Sequence, residues 1–142
     1  NRRVTLKSLQ WDSPRMSGTE SLGAHVLLDY VGYSPPVVDD GAWALQVLRE
    51  SVHGAGVREV HSHVESFDGG ISPPGFAAIV LIDESHVSAH CYSERGLLAI
   101  DVFTCGGDNP ETIADSIHAS FSTVIPRLRL INRKRVERFL EG

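Results

Sequence analysis

The feature that most constrains the fold is a pair of strand-like runs around a short turn. Residues 83–106 read DESHVSAHCYSERGLLAIDVFTCG. Within this stretch, His86–Tyr92 and Leu97–Phe103 are rich in β-prone residues, and the four residues between them, Ser93–Gly96, are turn formers that end in glycine. We therefore predict a β-hairpin.

This hairpin determines which side chains meet at its open end. If Tyr92 pairs with Leu97, residues whose numbers add up to the same total face each other along the ladder. Cys105 then arrives opposite Glu84 and beside Ser85. Because directly opposite residues lie about 5 Å apart, a thiol and a hydroxyl are predicted to meet there.

His90 lies on the same run but too far from Ser85 to act on it within one chain. Five residues of extended strand span about 16 Å at roughly 3.3 Å per residue. A two-fold dimer presents the same patch twice. The spacing is therefore compatible with His90 of one subunit serving Ser85 of the other.

The remaining patterns predict an α+β two-layer sandwich, in which an antiparallel sheet carries two helices on one face and the protein dimerises. Besides the hairpin, strands are predicted at Leu22–Tyr30, Val57–Glu65, Phe76–Ile82 and the closing RLRLI, residues 127–131. The basic stretch RLRLINRKRVER, residues 127–138, is interpreted as a solvated strand edge followed by a helix.

Capping residues delimit the two predicted helices. Asp39 or Asp40 caps a helix that runs to about His53, with Trp43, Val47 and Leu48 on one face and Gly54 and Gly56 beyond its end. Asn109-Pro110-Glu111 has the order cap, first-turn proline and acid, which begins the second helix.

Composition narrows the function classes. A chain of 142 residues predicts one domain over residues 21–142 after a flexible lead-in at residues 1–20. The net charge of −5 argues against a non-specific nucleic-acid binder, and no apolar run approaches the about 20 residues of a membrane span. Two cysteines do not form a disulfide framework, which predicts a cytoplasmic protein, and no spacing predicts a metal site.

ESHVSAH, GLLAIDVFTCGG and the upstream SLGAHVLLDY together resemble the motifs of the short prokaryotic form of S-adenosylmethionine decarboxylase, over roughly residues 21–132. The resemblance implies an enzyme that makes its own cofactor. The Glu84–Ser85 peptide bond would undergo an N-to-O acyl shift and β-elimination. Self-cleavage between residues 84 and 85 would then leave a pyruvoyl group in place of Ser85, which forms a Schiff base with the amine of S-adenosylmethionine.

The resemblance also implies roles for individual residues. His90 matches the proton acceptor of the processing step, and Cys105 matches the proton donor of the decarboxylation. Substrate binding is expected from Tyr92, Glu94, Phe67 and Ile71. The family's homodimers share their active sites between subunits, and their product supplies aminopropyl groups for spermidine synthesis.

Two departures from the family pattern leave alternatives open. Ile71 stands where the family has an adenine-stacking phenylalanine, for which Phe67 or Phe76 would have to compensate, and Ala77 stands where it has a serine that assists processing. A second interpretation keeps the pyruvoyl chemistry but changes the substrate to an amino acid such as arginine or ornithine. A third is an uncleaved, non-catalytic homologue that acts as a binding partner.

Overall fold

A computed structural model describes residues 21–141, which form six strands and two helices. In chain order these elements are β1 (Ser21–Val31), α1 (Asp40–Gly54), β2 (His61–Phe67), β3 (Gly75–Ile82), β4 (Ser85–Tyr92), β5 (Leu97–Cys105), α2 (Pro110–Val124) and β6 (Arg129–Leu140). The sheet order is β2-β3-β4-β5-β1-β6, and every neighbouring pair is antiparallel. The predicted α+β class is confirmed.

Both helices cover one face of the sheet, because alternate strand residues point to the same side. From Ala24 onward in β1 and throughout β5, every second residue is buried, and these residues pack with apolar residues of α1 and α2 into a single core. No helix in the described part of the chain covers the opposite face. We call that side the open face; its central residues are His86, Ser88, His90 and Tyr92 of β4 and Ala99, Asp101, Phe103 and Cys105 of β5.

The predicted helix caps are confirmed. The Asp39 side chain accepts a hydrogen bond from the backbone N–H of Ala42, and Asn109 accepts one from Glu111. Pro110 opens α2, where its missing N–H costs no hydrogen bond. Each cap satisfies a backbone donor that the first helical turn leaves unpaired.

The hairpin register also agrees with the prediction. Tyr92 pairs with Leu97, and the ladder continues without a shift to the pair His86 and Phe103. Gly96 closes the turn in the left-handed region at φ 66°, and its carbonyl accepts a hydrogen bond from the N–H of Tyr33 at 3.0 Å. The turn is thereby tied to the end of β1.

Two predictions about secondary structure are wrong. The strand at residues 127–131 is not followed by a helix, because β1 offers a free edge along which β6 pairs as far as Leu140. The strand predicted from Val57 begins only at His61, since the N–H of Val57 bonds to the carbonyl of Val52 at the end of α1. The predicted lead-in at residues 1–20 lies outside the described residues. No helix among residues 21–141 has the length and apolar character to cross a membrane.

Candidate active site

Ser85 and Cys105 meet at the open end of the β4–β5 hairpin. Ser85 is the first residue of β4, and only 4% of its surface is exposed. Its hydroxyl oxygen accepts a hydrogen bond from the backbone N–H of Cys105 at 3.0 Å. Glu84, on the other side of the Glu84–Ser85 peptide bond, is exposed. The predicted meeting of residues 85 and 105 is confirmed.

The environment of Cys105 keeps its side chain protonated. Burial raises the pKa of the Cys105 thiol, and the nearby charges of Glu84 and Asp108 act in the same direction. A hydrogen bond with Ser85 offsets part of that rise. A thiol that holds its proton at neutral pH is suited to donate it and poorly suited to act as a nucleophile.

A two-residue turn joins β3 to β4 immediately before Ser85. Ile82 pairs with Ser85 across this turn, and Asp83 adopts φ 53°. Only a few per cent of non-glycine residues have positive φ, and aspartate is among those that tolerate it best. The Arg58 guanidinium donates a hydrogen bond to the Asp83 carboxylate. The bond expected to break therefore follows a residue held in an uncommon conformation.

His90 lies at the other end of β4. It pairs with Ala77 of β3 and with Ala99 of β5, and its side chain is exposed on the open face. The ladder between β3 and β4 runs without a shift from residue 85 to residue 92. Ser85 and His90 of one chain therefore remain about 16 Å apart, at roughly 3.3 Å per residue.

Most of the predicted substrate-binding residues group near His90 and away from Ser85. Gly75 pairs with Phe67 on one side and with Tyr92 on the other, so the two aromatic residues flank a position without a side chain. Glu94 is exposed in the 3-10 turn that follows Tyr92. Ile71, in the loop before β3, is fully exposed at 104%.

The site residues thus form two groups. We call Glu84, Ser85 and Cys105 the processing end, and His90, Tyr92, Glu94 and Phe67 the binding end. Phe76, the other possible substitute for the stacking residue, is 2% exposed in the core and has no free ring face. Among residues 21–141, no group of three or more histidine, cysteine or acidic side chains is placed to hold a metal ion.

Sequence reasoning missed a cluster on the open face next to the processing end. The Nε2 atom of His25 lies 3.5 Å from Oδ1 of Asp101, and the rings of His25 and His86 meet edge to face at 5.8 Å. Burial lowers the pKa of His86, and His25 lowers it further, while Asp101 opposes both effects. Strand alternation would have put the three residues on one face, but only the strand order β4-β5-β1 brings them together.

The pyruvoyl group implied by the motifs would be made from the chain itself. The residues at the Glu84–Ser85 bond must therefore be able to form it. Ser85 supplies a hydroxyl on the residue that follows the Glu84 carbonyl, and the Cys105 backbone N–H donates a hydrogen bond to that hydroxyl at 3.0 Å. An exposed turn on one side leaves the Glu84 end free to separate. These residues fit the group.

The chain is similar to known proteins over most of its length. The family model described as S-adenosylmethionine decarboxylase matches residues 24–134. An S-adenosylmethionine decarboxylase proenzyme of Thermococcus kodakarensis is 30% identical over 119 residues, covering 83% of this chain and 80% of the relative. One from Persephonella marina is 36% identical over 88 residues, which is 62% of this chain, and the match spans 63% of that relative's length.

A crystal structure gives the same picture. The adenosylmethionine decarboxylase of Aquifex aeolicus superposes with a TM-score of 0.67 at 27% identity, covering 87% of this chain and 95% of that one. The family match covers well over half of the residues. This chain belongs to the S-adenosylmethionine decarboxylase family.

Proposed function

We propose that this protein is a self-processing decarboxylase of S-adenosylmethionine whose cofactor is a pyruvoyl group made from Ser85. The observation that carries the proposal is the buried Ser85 hydroxyl, held by the Cys105 N–H at 3.0 Å, directly after an exposed turn. Attack of this oxygen on the Glu84 carbonyl carbon would close a small ring through Cβ, Cα and N of Ser85. The family membership supports the substrate.

Self-cleavage starts at the Ser85 oxygen. The oxygen bonds to the Glu84 carbonyl carbon as the peptide C–N bond breaks, so the amide becomes an ester and the nitrogen of residue 85 becomes an amine. Removal of the proton on the Cα of Ser85 then breaks the Cβ–O bond and releases the Glu84 carboxylate. Water replaces the nitrogen, which leaves as ammonia. The C-terminal fragment then begins with a ketone at residue 85.

His90 of a partner subunit is the proposed acceptor of that Cα proton. Histidine titrates near neutral pH and suits this task. The partner must supply it, because the His90 of the same chain lies about 16 Å away along an unbroken strand. Ala77, which faces His90 in the sheet, offers no hydroxyl to assist.

The proposed dimer packs open face on open face. A two-fold axis lying between the faces and across β4 brings the binding end of one subunit to the processing end of the other. Ile79 and Leu81, which are exposed on this face, would lose contact with water there. Burial of apolar area is the usual driving force for such association.

The pyruvoyl carbonyl supplies an electron acceptor for the bond that loses carbon dioxide. Cys105 then returns a proton to the substrate carbon, a role supported by its raised pKa and its position beside residue 85. Tyr92, Phe67 and Glu94 of the partner would orient the rest of the substrate. The product of this reaction would be an aminopropyl donor for spermidine synthesis.

Denaturing mass spectrometry of purified protein tests the proposal. We expect two fragments that meet between residues 84 and 85, with no amine at the start of the second, and carbon dioxide release from labelled S-adenosylmethionine. Borohydride should trap the ketone and stop the release. A full-length chain that persists on long incubation would overturn the proposal and favour the uncleaved binding homologue.

One observation favours a second substrate class. Ile71 has no aromatic ring and is fully exposed, so the position that carries the adenine-stacking residue in the family has no ring face here. A simple amino acid such as arginine or ornithine needs no such ring. Carbon dioxide released from either amino acid, and not from S-adenosylmethionine, would establish this alternative.

A further inference from the structure

We propose that Phe139, packed against Phe103, is a specificity-determining residue that provides the stacking surface for the adenine ring of the substrate. The inference rests on the proposed function, because it identifies how the same site would hold S-adenosylmethionine without an aromatic residue at position 71. Phe139 lies beyond residues 24–134, which the family model matches. It is therefore a feature that the family pattern does not supply.

The backbone at Phe139 is the first observation. Its φ is 56°, and Asp83 is the one other non-glycine residue with positive φ among residues 21–141. For a bulky residue this conformation is a genuine outlier. Such conformations persist only where the surrounding structure enforces them, and they cluster at binding and catalytic sites.

The conformation has a visible result for the side chain. Adjacent residues of a regular strand point to opposite faces of the sheet. Yet the Arg138 guanidinium carbon lies 5.8 Å from the centre of the Phe103 ring, and the Phe139 ring centre lies 6.0 Å from it. Both consecutive side chains therefore reach the same aromatic residue, whose ring belongs to the open face.

The aromatic pair borders the processing end. A side chain added at Gly23 would place its Cβ 3.3 Å from the Cys105 sulfur and 3.4 Å from the Phe103 ring. The thiol and the ring thus lie side by side above a position that has no side chain. A ligand whose reacting carbon is at residue 85 and Cys105 would have Phe103 and Phe139 as its neighbours within the same subunit.

Exposure, together with position within one subunit, separates Phe139 from the other candidates. It is 59% exposed, which core packing does not explain. Phe76 is buried, whereas Phe67 and Tyr92 are exposed at 38% and 50% but lie at the binding end, so that only a partner subunit would bring them to this processing end. Bases stack on exposed aromatic faces, and this recognition requires a planar ring more than a particular hydrogen-bond pattern. Phe139 is therefore the aromatic residue of the processing end with a free face.

Binding of 5′-deoxy-5′-methylthioadenosine, which carries the purine and lacks the amino acid, tests the inference without requiring the ketone. Calorimetry should show that Phe139→Leu weakens this ligand about 10-fold or more, whereas Phe139→Trp retains it. The matched control is Leu140→Ala, because Leu140 is the next residue of β6 and is 61% exposed. It should change the affinity by less than about twofold. In Phe139→Trp, bound ligand should also quench the new tryptophan.

The outcomes are separable from those of the proposed function. Equal affinity of the wild type and Phe139→Leu would overturn the role of Phe139, as would no binding of the ligand to the wild type. Neither result depends on whether the Glu84–Ser85 bond breaks. Conversely, a chain that stays intact but binds the ligand through Phe139 would support the role of Phe139 and contradict the proposed decarboxylase function. Equal thermal melting of the variants checks that each has folded.

Discussion

The two turns that flank β4 are built in different ways. At the binding end, the chain reverses through a 3-10 turn and places a glycine, Gly96, in the left-handed region at φ 66°. At the processing end, it reverses in two residues and places Asp83 there at φ 53°. Glycine adopts this region at no steric cost, whereas a residue with a side chain adopts it only at a cost in free energy. The unfavourable conformation therefore precedes the bond proposed to break.

The difference suggests a division of labour along one strand. At the binding end, a hydrogen bond from the backbone N–H of Tyr33 to the Gly96 carbonyl anchors the turn, which would give the proposed ligand site a rigid frame. In the proposed reaction, the Glu84–Ser85 bond of the processing end breaks once and the two residues then separate. Its turn is held from outside the hairpin by Arg58, an exposed residue whose ion pair with Asp83 contributes little to stability.

The largest expected effect tests the processing end directly. Ser85→Ala removes the oxygen that receives the acyl group, so we expect no cleavage and no decarboxylation at any incubation time. Denaturing mass spectrometry should give one full-length species. Ser88→Ala is a suitable control, because Ser88 is a buried serine of the same strand that lies outside the proposed reaction. Cleavage that survives in Ser85→Ala would refute the chemistry.

Removal of His90 should have the next largest effect. It tests whether the binding end takes part in cleavage at the processing end. A positioned general base contributes typically 10²- to 10⁴-fold, so His90→Ala should slow cleavage by about that amount. The time course of fragment appearance measures it. His63→Ala is the control, because His63 is an exposed histidine on the edge strand β2, which β3 separates from β4.

Mixing two inactive variants decides whether the ends belong to different subunits. When Ser85→Ala and His90→Ala chains are unfolded and refolded together, mixed dimers contain one site with both residues intact. Up to about half of the His90→Ala chains should then be cleaved, as expected from random pairing of a two-fold dimer. No cleavage in the mixture, with dimers present, would mean that each chain processes itself.

A pair of turn substitutions sharpens the comparison further. Gly96→Ala forces a side chain into the left-handed region and should lower the free energy of unfolding by about 1–2 kcal/mol, with cleavage nearly unchanged. Asp83→Gly keeps the positive φ of the turn but removes its steric cost, so stability should not fall while cleavage slows about fivefold. Urea unfolding of both variants in the Ser85→Ala background, and cleavage rates in the native one, measure the two effects. The reverse pattern would show that the Asp83 conformation has no part in processing.

The features of this arrangement that depend on local sequence were predictable, whereas those that depend on the order of strands in the sheet were not. The hairpin register followed from the Ser93–Gly96 turn alone, and it correctly brought Cys105 to Ser85. The end of β6 failed for the opposite reason. Its run of arginine, lysine and glutamate favours a helix locally, but the free edge of β1 pairs with it instead.

The open face was less accessible to sequence reasoning. The contact between His25 and Asp101 joins two strands that are more than 60 residues apart in sequence. No local rule predicts it, because it follows from the adjacency of β5 and β1 in the sheet. The positive φ of Phe139 leaves no sequence signal at all, because phenylalanine is ordinarily avoided there. Long-range strand order and enforced backbone conformations are the parts that propensities cannot reach.

The smallest expected effect is a pH dependence that originates in the histidine cluster beside the processing end. His86 is surrounded by His25 of β1, Asp101 of β5 and, beyond His25, Arg138 of β6. Its pKa is lowered in the folded protein, so at pH values near the unfolded value of about 6.5 the unfolded chain binds more protons. Stability therefore rises with pH, and the contribution of His86 is lost as pH falls below about 6.5.

Substitution of His86 should flatten that dependence. We expect the free energy of unfolding of Ser85→Ala protein, which stays in one piece, to fall more steeply between about pH 7.5 and 5.5 than that of the same protein carrying His86→Gln. Urea unfolding at a series of pH values measures both slopes. Parallel curves would mean that the cluster around His86 accommodates the proton as well as water does, and that the processing end is no more sensitive to acid than the rest of the sheet.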